Sequence, residues 1–334
     1  MSSNRIKQVS SVDVARLAGV SRAAVSRTFS NNGYVSEATR EKVLLAAKQL
    51  GYRVNHLARS LNRQRSDLIG LVVADLDSPF RSQQVKDLSE AILANNYRPF
   101  LIPTSAGRNS TQVIEMLMDY CVSGVIITSD TPPEDIYQNC IEQSVPVVLI
   151  NKKDKYPQVD RVVCDNEKGI ALLVEAFVQR SCKRVVIIGS AATSYSIQVR
   201  ETLFKEQATK AGIETDSVLA SNHDYHGGIE AANILSDQEN FPDGIFCCND
   251  YLALGVIDQL RERIGHQKVK NIAIAGFDDM QQSSWSSYQL TTIRQPTQNM
   301  ASQAVNLLVS RIGDPEQASR TYCTDVSLIK RTSL

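Results

Sequence analysis

Long hydrophobic runs are missing from this 334-residue sequence. No stretch approaches the length needed to cross a bilayer, and none follows a basic N-terminal segment as in a signal peptide. We therefore expect a cytoplasmic protein without a membrane partner. With 43% hydrophobic and 22% charged residues, the composition is typical of a globular chain with a sizeable core. The length suits a small domain together with a large one.

Cysteine is sparse and irregularly spaced. An odd number of thiols without a secretion signal indicates reduced side chains rather than a disulfide framework. There is no Cys-x-x-Cys pair and no cysteine-histidine cluster with zinc-like spacing, so we expect no metal site and no cofactor. The seven cysteines are Cys121, Cys140, Cys164, Cys182, Cys247, Cys248 and Cys323.

Sequence motifs of the common enzyme classes are missing too. The chain has no G-x-x-x-x-G-K-[ST], no G-x-S-x-G and no G-x-G-x-x-G. The pair His223 and His226 is too sparse to define a metal site. We therefore expect no catalytic residues and no enzymatic activity.

The net charge of zero hides a strong asymmetry along the chain. Residues 1–66 contain twelve Lys and Arg against three Asp and Glu, a net charge of +9, and the remainder has a net charge of −9. Phosphates attract such a cationic segment through counterion release. The asymmetry indicates a polyanionic partner for the N-terminal segment.

A helical pattern with caps occupies the start of this basic segment. Ser10 precedes the first helix, Asp13 follows three residues later as in a capping box, and Gly19 supplies a left-handed end. The spacing of Val14, Leu17 and Ala18 gives this helix one apolar face.

A second and a third helix follow. The second begins after Ser21 and extends to Phe29, and the third begins after Ser36 and ends at Gly51. On the third helix Val43, Ala47 and Leu50 share one face. Two short helices joined by a tight glycine turn are the helix-turn-helix arrangement.

The segment resembles the headpiece of the LacI/GalR (lactose repressor) family nearly residue for residue. The matching runs are Val12–Ser21, Val25–Arg27, Val35–Ser36 and Thr39–Val43. The resemblance implies that the second helix enters the major groove, where Arg22 could bond to guanine and Ala23 could offer a methyl contact. Contacts of Arg22 and Arg27 with phosphate alone are the alternative. The residues implied to contact DNA here are Ser21, Arg22, Ala23, Ser26 and Arg27.

The stretch from Asn55 to Leu61 resembles the hinge helix of the same family. The resemblance implies that Asn55, Ala58 and Leu61 contact DNA, with Leu61 wedged between base pairs in the minor groove. Two such leucines require a homodimer and a flexible central step in the operator. The proline often found before this asparagine is absent, and a plain linker helix is the alternative.

From residue 68 onward, apolar strand-like runs alternate with helical stretches. Such runs indicate a parallel sheet covered on both faces, and eight of them indicate two doubly wound lobes with a ligand at the carboxyl ends of the strands. The predicted strands are Leu68–Ala74, Pro99–Pro103, Gly124–Thr128, Val145–Ile150, Arg184–Gly189, Ser217–Ala220, Gly244–Cys248 and Asn271–Gly276.

The resemblance makes this α/β region a type I periplasmic-binding-protein fold. One lobe is then formed by residues 68–165 plus the segment after Ile293, and the other by residues 166–290. We accordingly expect a helix-turn-helix DNA-binding domain at 1–54, a hinge helix and linker at 55–66, and an effector-binding and dimerisation domain at 67–334.

A cleft between the lobes would bind a small polar ligand. The resemblance implies that its effector-binding residues are Phe80, Asn151, Arg200, Tyr225, Asn249, Asp278 and Gln295. His223 is the alternative to Tyr225 at an aromatic position. For every one of these residues, an ordinary strand-end cap or a surface charge is the competing interpretation.

Two positions depart from the family pattern. The run 77–80 resembles the family's NPFF turn, in which Phe80 would stack on the ligand, but Arg81 replaces the second aromatic residue. Arg200 begins a match to the R-x-x-G-F pattern, in which Leu203 replaces the glycine. Because Arg81 replaces the second aromatic residue, the sequence gives less support to a sugar stacked between two aromatic rings.

These observations predict a sequence-specific repressor of a carbohydrate-utilisation operon. It would bind operator DNA as a homodimer and be controlled by a sugar, a sugar acid or a sugar phosphate. Two alternatives are a DNA-binding regulator controlled by a partner protein, and a solute-binding sensor without a role in transcription.

Overall fold

The computed structural model describes residues 9–29, 34–52, 66–104, 110–128, 134–152, 159–192, 194–238 and 240–334. The chain forms two compact units, Met1–Ser66 and Asp67–Leu334. Within the described ranges every helix is too short or too polar to cross a membrane.

The described part of the first unit contains α1 (Ser11–Ala18), α2 (Arg22–Thr28) and α3 (Glu37–Leu50). Each helix begins after a serine whose side chain accepts a hydrogen bond from a backbone N–H of the first turn. Helices α1 and α3 end at Gly19 and Gly51, both with φ of 64°. The predicted helix starts are confirmed, and α2 ends one residue earlier than predicted.

Small apolar side chains form the core between these three helices. Val14, Val25 and Val43 are fully buried there. Leu17, predicted to lie on the packed face of α1, is instead 50% exposed. That expectation is wrong because Ala15, beside Val14, faces the core in its place.

The second unit contains two six-stranded sheets built from the following elements. The strands are β1 (Leu68–Ala74), β2 (Arg98–Thr104), β3 (Gly124–Ile127), β4 (Val147–Ile150), β5 (Asp160–Cys164), β6 (Arg184–Ser190), β7 (Glu214–Ala220), β8 (Gly244–Cys247), β9 (Ala273–Asp278), β10 (Thr291–Arg294), β11 (Thr321–Thr324) and β12 (Ser327–Ile329). The helices are α4 (Pro79–Ala94), α5 (Ser110–Asp119), α6 (Glu134–Glu142), α7 (Asn166–Gln179), α8 (Tyr195–Lys210), α9 (Tyr225–Ser236), α10 (Asp250–Ile264), α11 (His266–Val269) and α12 (Thr297–Gly313).

The two sheets define two doubly wound lobes, as predicted. The first sheet has the order β11-β5-β4-β3-β1-β2 and is parallel throughout. The second has the order β12-β10-β9-β8-β6-β7 and is parallel except for β12. All eight predicted strands are present, β1 with the predicted bounds and the other seven with shifted ends. Strands β5, β10, β11 and β12 were not predicted.

The chain passes between the lobes three times. After β5 it enters the second lobe, where α7 packs against α8 and β12; after β10 it returns as α12, which packs against α4 and the strands of the first sheet. Strand β11 completes the first sheet and β12 the second. The predicted lobe boundaries agree with this path, except that β10 and β12 belong to the second lobe.

A buried ion cluster ties α12 to the first sheet. The carboxylate of Asp160, at the start of β5, accepts hydrogen bonds from Nε and Nη2 of Arg311 at 2.8 and 2.9 Å. Arg320 adds its backbone N–H at 2.7 Å and its Nη2 at 3.0 Å. Burial alone would raise the pKa of Asp160, but the bonds from Arg311 and Arg320 outweigh it and lower that pKa.

Candidate functional site

A cavity of about 460 Å³ opens between the lobes at the carboxyl ends of the strands. This is the position expected for the ligand site of a doubly wound fold, and the volume lies in the range of small-molecule sites, roughly 300–1,000 Å³. The structure brings all seven sequence-predicted cleft residues to its wall: Phe80, Asn151, Arg200, Tyr225, Asn249, Asp278 and Gln295.

Arg200 is the centre of a buried polar network at the base of the cleft. Its side chain is 3% exposed and lies over the ring of Phe277, 3.7 Å from the centroid. It donates from Nη1 to the carbonyl of Cys248 at 2.8 Å and to Oδ1 of Asp278 at 3.2 Å. It also donates from Nε to Oδ1 of Asn166 at 3.1 Å. The side chain therefore pairs with a buried acid and not with a surface one.

The same network reaches across to the first lobe. Gln295, just after β10, donates from Nε2 to Oδ1 of Asp278 at 2.6 Å and accepts from Nδ2 of Asn151 at 3.0 Å. Asn151, just after β4, accepts at Oδ1 from the backbone N–H of Cys164 at 2.9 Å. A hydrogen-bonded chain thus joins the second lobe, the crossing segment and the first lobe beside the cavity.

Asp278 adopts a backbone conformation that L residues rarely occupy. Its φ is 129°, at the end of β9, where such strain costs about 1–3 kcal/mol. Burial raises the pKa of its carboxyl group, although Arg200 and Gln295 act in the opposite direction. A strained, buried acid held by neighbouring donors is typical of functional sites.

Two other predicted residues use their polar groups within the protein. Asn249 caps α10, accepting from the backbone N–H of Leu252 at 2.8 Å and donating to the carbonyl of His223 at 2.9 Å. The hydroxyl of Tyr225 donates to Asp258 at 3.0 Å, so its ring and not its hydroxyl is available to the cleft. His223, the alternative to Tyr225, lines the same cavity.

The first-lobe wall is formed by the first turn of α4. Phe80 is 8% exposed and belongs to the apolar cluster of the second lobe, where Val186 and Ile188 also lie. Its ring therefore bridges the two lobes. Arg81, next to it, lines the cavity with its guanidinium carbon 6.0 Å from the Phe80 centroid.

The predicted DNA-contacting residues in the described part of the first unit share an exposed surface. Val25 and Thr28 are buried beneath them in α2. Arg27 donates from Nε to the carbonyl of Ala23 at 3.4 Å. The exposed residues are Ser21, Arg22, Ala23, Ser26 and Arg27. Asn55, Ala58 and Leu61 lie outside the described residues.

Comparison with known proteins identifies the family. Residues 12–55 match the bacterial regulatory proteins of the lacI family, and residues 174–334 match a periplasmic binding protein-like domain. The chain is 30% identical over 325 residues to the HTH-type transcriptional regulator RegA of Clostridium saccharobutylicum, covering 96% of this chain and 98% of the relative. The chain belongs to the LacI family. It is therefore a DNA-binding transcription regulator and not an enzyme.

Two solved structures of transcription regulators match this chain along nearly its whole length. A lac repressor dimer bound to operator and the anti-inducer ONPF matches with a TM-score of 0.87 and 25% identity, over 98% of this chain and 100% of that chain. The transcriptional regulator CelR in complex with cellobiose matches with a TM-score of 0.74 and 26% identity, over the same shares. These matches confirm the predicted headpiece and two-lobed fold.

Several cavity-lining residues were not among the predicted sites, and one of them, His223, was named only as an alternative to Tyr225. Most follow strand ends or begin helices without a recognisable motif, so only their position at the carboxyl edge of the sheets could have indicated them. Arg81 was noted as a departure from the family pattern but not as a site residue. The additional lining residues are Asp75, Asp77, Ser78, Arg81, Ser194, Ser196, Ile197, Asn222, His223, Asp224, His226 and Tyr251.

Proposed function

We propose that this LacI-family regulator is a cytoplasmic repressor of carbohydrate-utilisation genes, controlled by a small sugar-like effector bound in the cleft. The observation that carries the proposal is the buried network of Asn151, Gln295, Asp278 and Arg200 beside the 460 Å³ cavity. The similarity to a regulator solved with cellobiose supports a sugar-like ligand.

The network suggests how an effector would act. A ligand can shift a two-state protein only by its differential affinity for the two states. The network joins the lobes through Asn151 and Gln295. A ligand that bonds to it therefore stabilises one arrangement of the lobes more than another. The seven predicted cleft residues are the proposed effector-binding residues.

For DNA binding we propose that α2 enters the major groove. Arg22 is exposed on its first turn and its planar fork suits bidentate bonding to guanine. One helix-turn-helix per chain favours a homodimer on a pseudopalindrome of two half-sites. We further propose, from the resemblance alone, that 55–66 is a hinge in which Asn55, Ala58 and Leu61 contact the minor groove.

In vitro selection of DNA sites followed by footprinting tests this proposal. The expected result is two inverted half-sites protected by a dimer. Arg22→Ala should lose about 1–3 kcal/mol of preference at one base pair of each half-site. Arg16→Ala, which removes an exposed arginine of α1, is the matched control and should leave the preference at every base pair unchanged. Protection of a single half-site by a monomer would contradict the proposal.

The Leu61→Ala variant distinguishes a leucine wedged between base pairs from a leucine in a plain linker helix. A wedge contributes only on a correctly placed, bent operator, so this variant should weaken operator binding far more than binding to random DNA at the same salt concentration. Equal losses on both DNAs would show that Leu61 does not insert between base pairs.

A further inference from the structure

Two helices of the second lobe pack closely against each other beside the cleft. A Cβ atom on Gly255 of α10 would lie 2.0 Å from the carbonyl oxygen of Tyr225, the first residue of α9. A Cβ atom on Gly228 of α9 would lie 2.2 Å from the carbonyl oxygen of Leu252. Because only glycine lets two backbones approach so closely, these positions hold the start of α9 against α10.

This packing places Asp258 within reach of the Tyr225 hydroxyl. Asp258 follows Gly255 by about one turn of α10 and accepts from that hydroxyl at Oδ2, at 3.0 Å. The same oxygen accepts from the hydroxyl of Tyr288 at 2.7 Å, and Oδ1 lies 3.5 Å from Nη1 of Arg261. Burial, and next the Asp258 carboxylate, raise the pKa of both phenols, so each hydroxyl stays protonated and donates.

The two tyrosines differ in their relation to the cleft. Tyr225 lines the cavity, whereas Tyr288 and Asp258 are not among the described residues of its wall. The ring of Tyr225 lies 6.3 Å from that of Tyr251 and 5.9 Å from that of His226, and both of these residues line the cavity as well. One carboxylate oxygen thus anchors a ring of the cleft wall together with a ring outside it.

We propose that Asp258 is a positioning residue of the effector site, which holds the Tyr225 ring in the orientation that the effector contacts. The inference deepens the proposed function and rests on it. A ring whose hydroxyl is already bonded needs no further ordering when a ligand binds, and such preorganisation increases affinity. Asp258 would therefore affect the affinity for the effector without touching it.

A purely structural role of Asp258 is the alternative. In that case its hydrogen bonds would stabilise only the packing of α9, α10 and the segment before β10 that contains Tyr288. Loss of either phenol hydroxyl would then have the same consequences. The two tyrosines separate the cases because they donate to the same oxygen and differ in whether they line the cavity.

Calorimetry on the full chain measures the effect on affinity. Glucose, galactose, ribose, cellobiose, gluconate and glucose 6-phosphate are screened by thermal shift, and the compound that raises the Tm most is the probe for all variants. Tyr225→Phe keeps the ring and removes only the hydroxyl. We expect it to weaken probe binding by about two- to tenfold, the effect of ordering one side chain on binding. Asp258→Ala should weaken binding equally, and the double variant should lose no more, because both changes remove the same contact.

Tyr288→Phe is the matched control. It removes the other hydroxyl from the same carboxylate oxygen, so it should lower the free energy of unfolding in urea about as much as Tyr225→Phe does. Its affinity for the probe should equal that of the wild type. Asp258→Asn should retain most of the wild-type affinity, because its amide oxygen can accept both hydroxyls. Equal affinity losses in the two Tyr→Phe variants, additive losses in the double variant, or wild-type affinity in Asp258→Ala would each overturn the proposal.

Fluorine NMR observes the ring itself and needs no effector. In a chain labelled with 3-fluorotyrosine, the Tyr225 resonance is the one that disappears in Tyr225→Phe. We expect Asp258→Ala to move this resonance toward the position of unstructured fluorotyrosine, and Tyr288→Phe and Asp258→Asn to leave it near its wild-type position. An unchanged Tyr225 resonance in Asp258→Ala would show that the carboxylate does not hold the ring.

Operator binding distinguishes failure of this inference from failure of the proposed function. If the probe changes operator binding and the Asp258→Ala protein binds the probe as the wild type does, the proposed function stands and only the positioning role is wrong. If no compound of the panel binds or changes operator binding, control by a sugar-like effector is wrong, and the inference falls with it.

Discussion

Nε2 of His223 lies 3.6 Å from Oδ2 of Asp75, and this contact joins the two lobes at the cleft. Asp75 follows β1 of the first lobe with φ of 52°, and His223 follows β7 of the second. The interaction with His223 lowers the pKa of Asp75.

Asp75→Asn should weaken this contact with a characteristic dependence on pH. A carboxylate with a lowered pKa contributes stability above its unfolded pKa and loses it as the pH falls through the folded value. Because Asp75 is about half exposed, we expect a loss of at most about 1 kcal/mol near neutral pH, shrinking toward acid. Thermal unfolding of the wild type and the variant, from neutral to acidic pH, measures this loss of stability. Asp77→Asn, an exposed cleft acid, is the control, and an equal effect in that variant would rule out a specific contact.

Arg200→Ala should destabilise the second lobe as well as remove the effector response. The substitution leaves the Asp278 carboxylate buried without its arginine, which costs about 3–5 kcal/mol in chemical denaturation. Arg200→Met combined with Asp278→Asn removes both charges and should recover most of that loss. Effector binding should stay abolished in the double variant, because its bonds are gone. Operator affinity without effector should remain nearly intact.

Two results would contradict this assignment of Arg200. An Arg200→Ala protein as stable as the wild type would show that the pair contributes nothing to folding. A double variant that still responds at the wild-type effector concentration would show that the arginine does not contact the ligand.

Asp250 should make the protein less stable as the pH rises toward neutral. Its carboxylate is fully buried and accepts from the backbone N–H of Met280 and the hydroxyls of Ser283 and Thr292. Burial raises the pKa of Asp250 to about 7. A group with a raised folded pKa contributes stability below its unfolded pKa and loses it as the pH rises through the folded value. The loss between about pH 4 and pH 7 is on the order of 4 kcal/mol.

Asp250→Asn should flatten that part of the stability profile. Its amide can place NH₂ toward Thr292, whose hydroxyl also accepts, while the oxygen keeps the bonds from Met280 and Ser283. Urea unfolding at several pH values gives the slope of the free energy of unfolding against pH. Asp119→Asn, at an exposed position, should keep the wild-type slope. An unchanged slope in Asp250→Asn would show that Asp250 does not titrate in this range.

Asp160→Ala should destabilise the first lobe by about 3–5 kcal/mol, since it leaves the Arg311 guanidinium buried without its acid. The lowered pKa of Asp160 means that its contribution disappears as the pH falls through the folded value. Asp160→Leu with Arg311→Met should recover stability and remove this acid dependence. Limited proteolysis and urea unfolding check both variants, and a stable Asp160→Ala protein would contradict the role of the cluster.

The elements with strong local signals could be predicted from the sequence. Ser10, Ser21 and Ser36 each cap a helix through their own hydroxyl, so the head helices begin where the sequence places them. Buried central strands such as β1 are continuous apolar runs, so they can be recognised in the sequence as readily as the helices. Leu17 was misplaced because spacing alone does not fix which residues of a short helix face its neighbours.

Strands with little apolar content could not be predicted. β10 begins with the buried pair Thr291 and Thr292, and β11 is mostly exposed at the edge of its sheet. Both owe their strand conformation to pairing with β9 and β5, respectively, and so to tertiary context.

The cleft itself was only partly predictable. Matched motifs placed seven residues in its wall, but the use of Asn249 as a cap and of the Tyr225 hydroxyl as a donor to Asp258 depends on neighbours distant in sequence. The burial of Arg81 in the cavity wall is likewise not visible in the sequence.

The three passages of the chain between the lobes determine when each lobe can form during synthesis. The head helices can fold once their own residues have left the ribosome, but the first sheet waits for β11 and the second for β12. Until α12 emerges, Gly124 of β3 lacks the Leu308 side chain that packs against it. A nascent chain therefore leaves β5 and β10 without their outer neighbours almost to the end of translation, and unpaired strand edges of this kind favour aggregation.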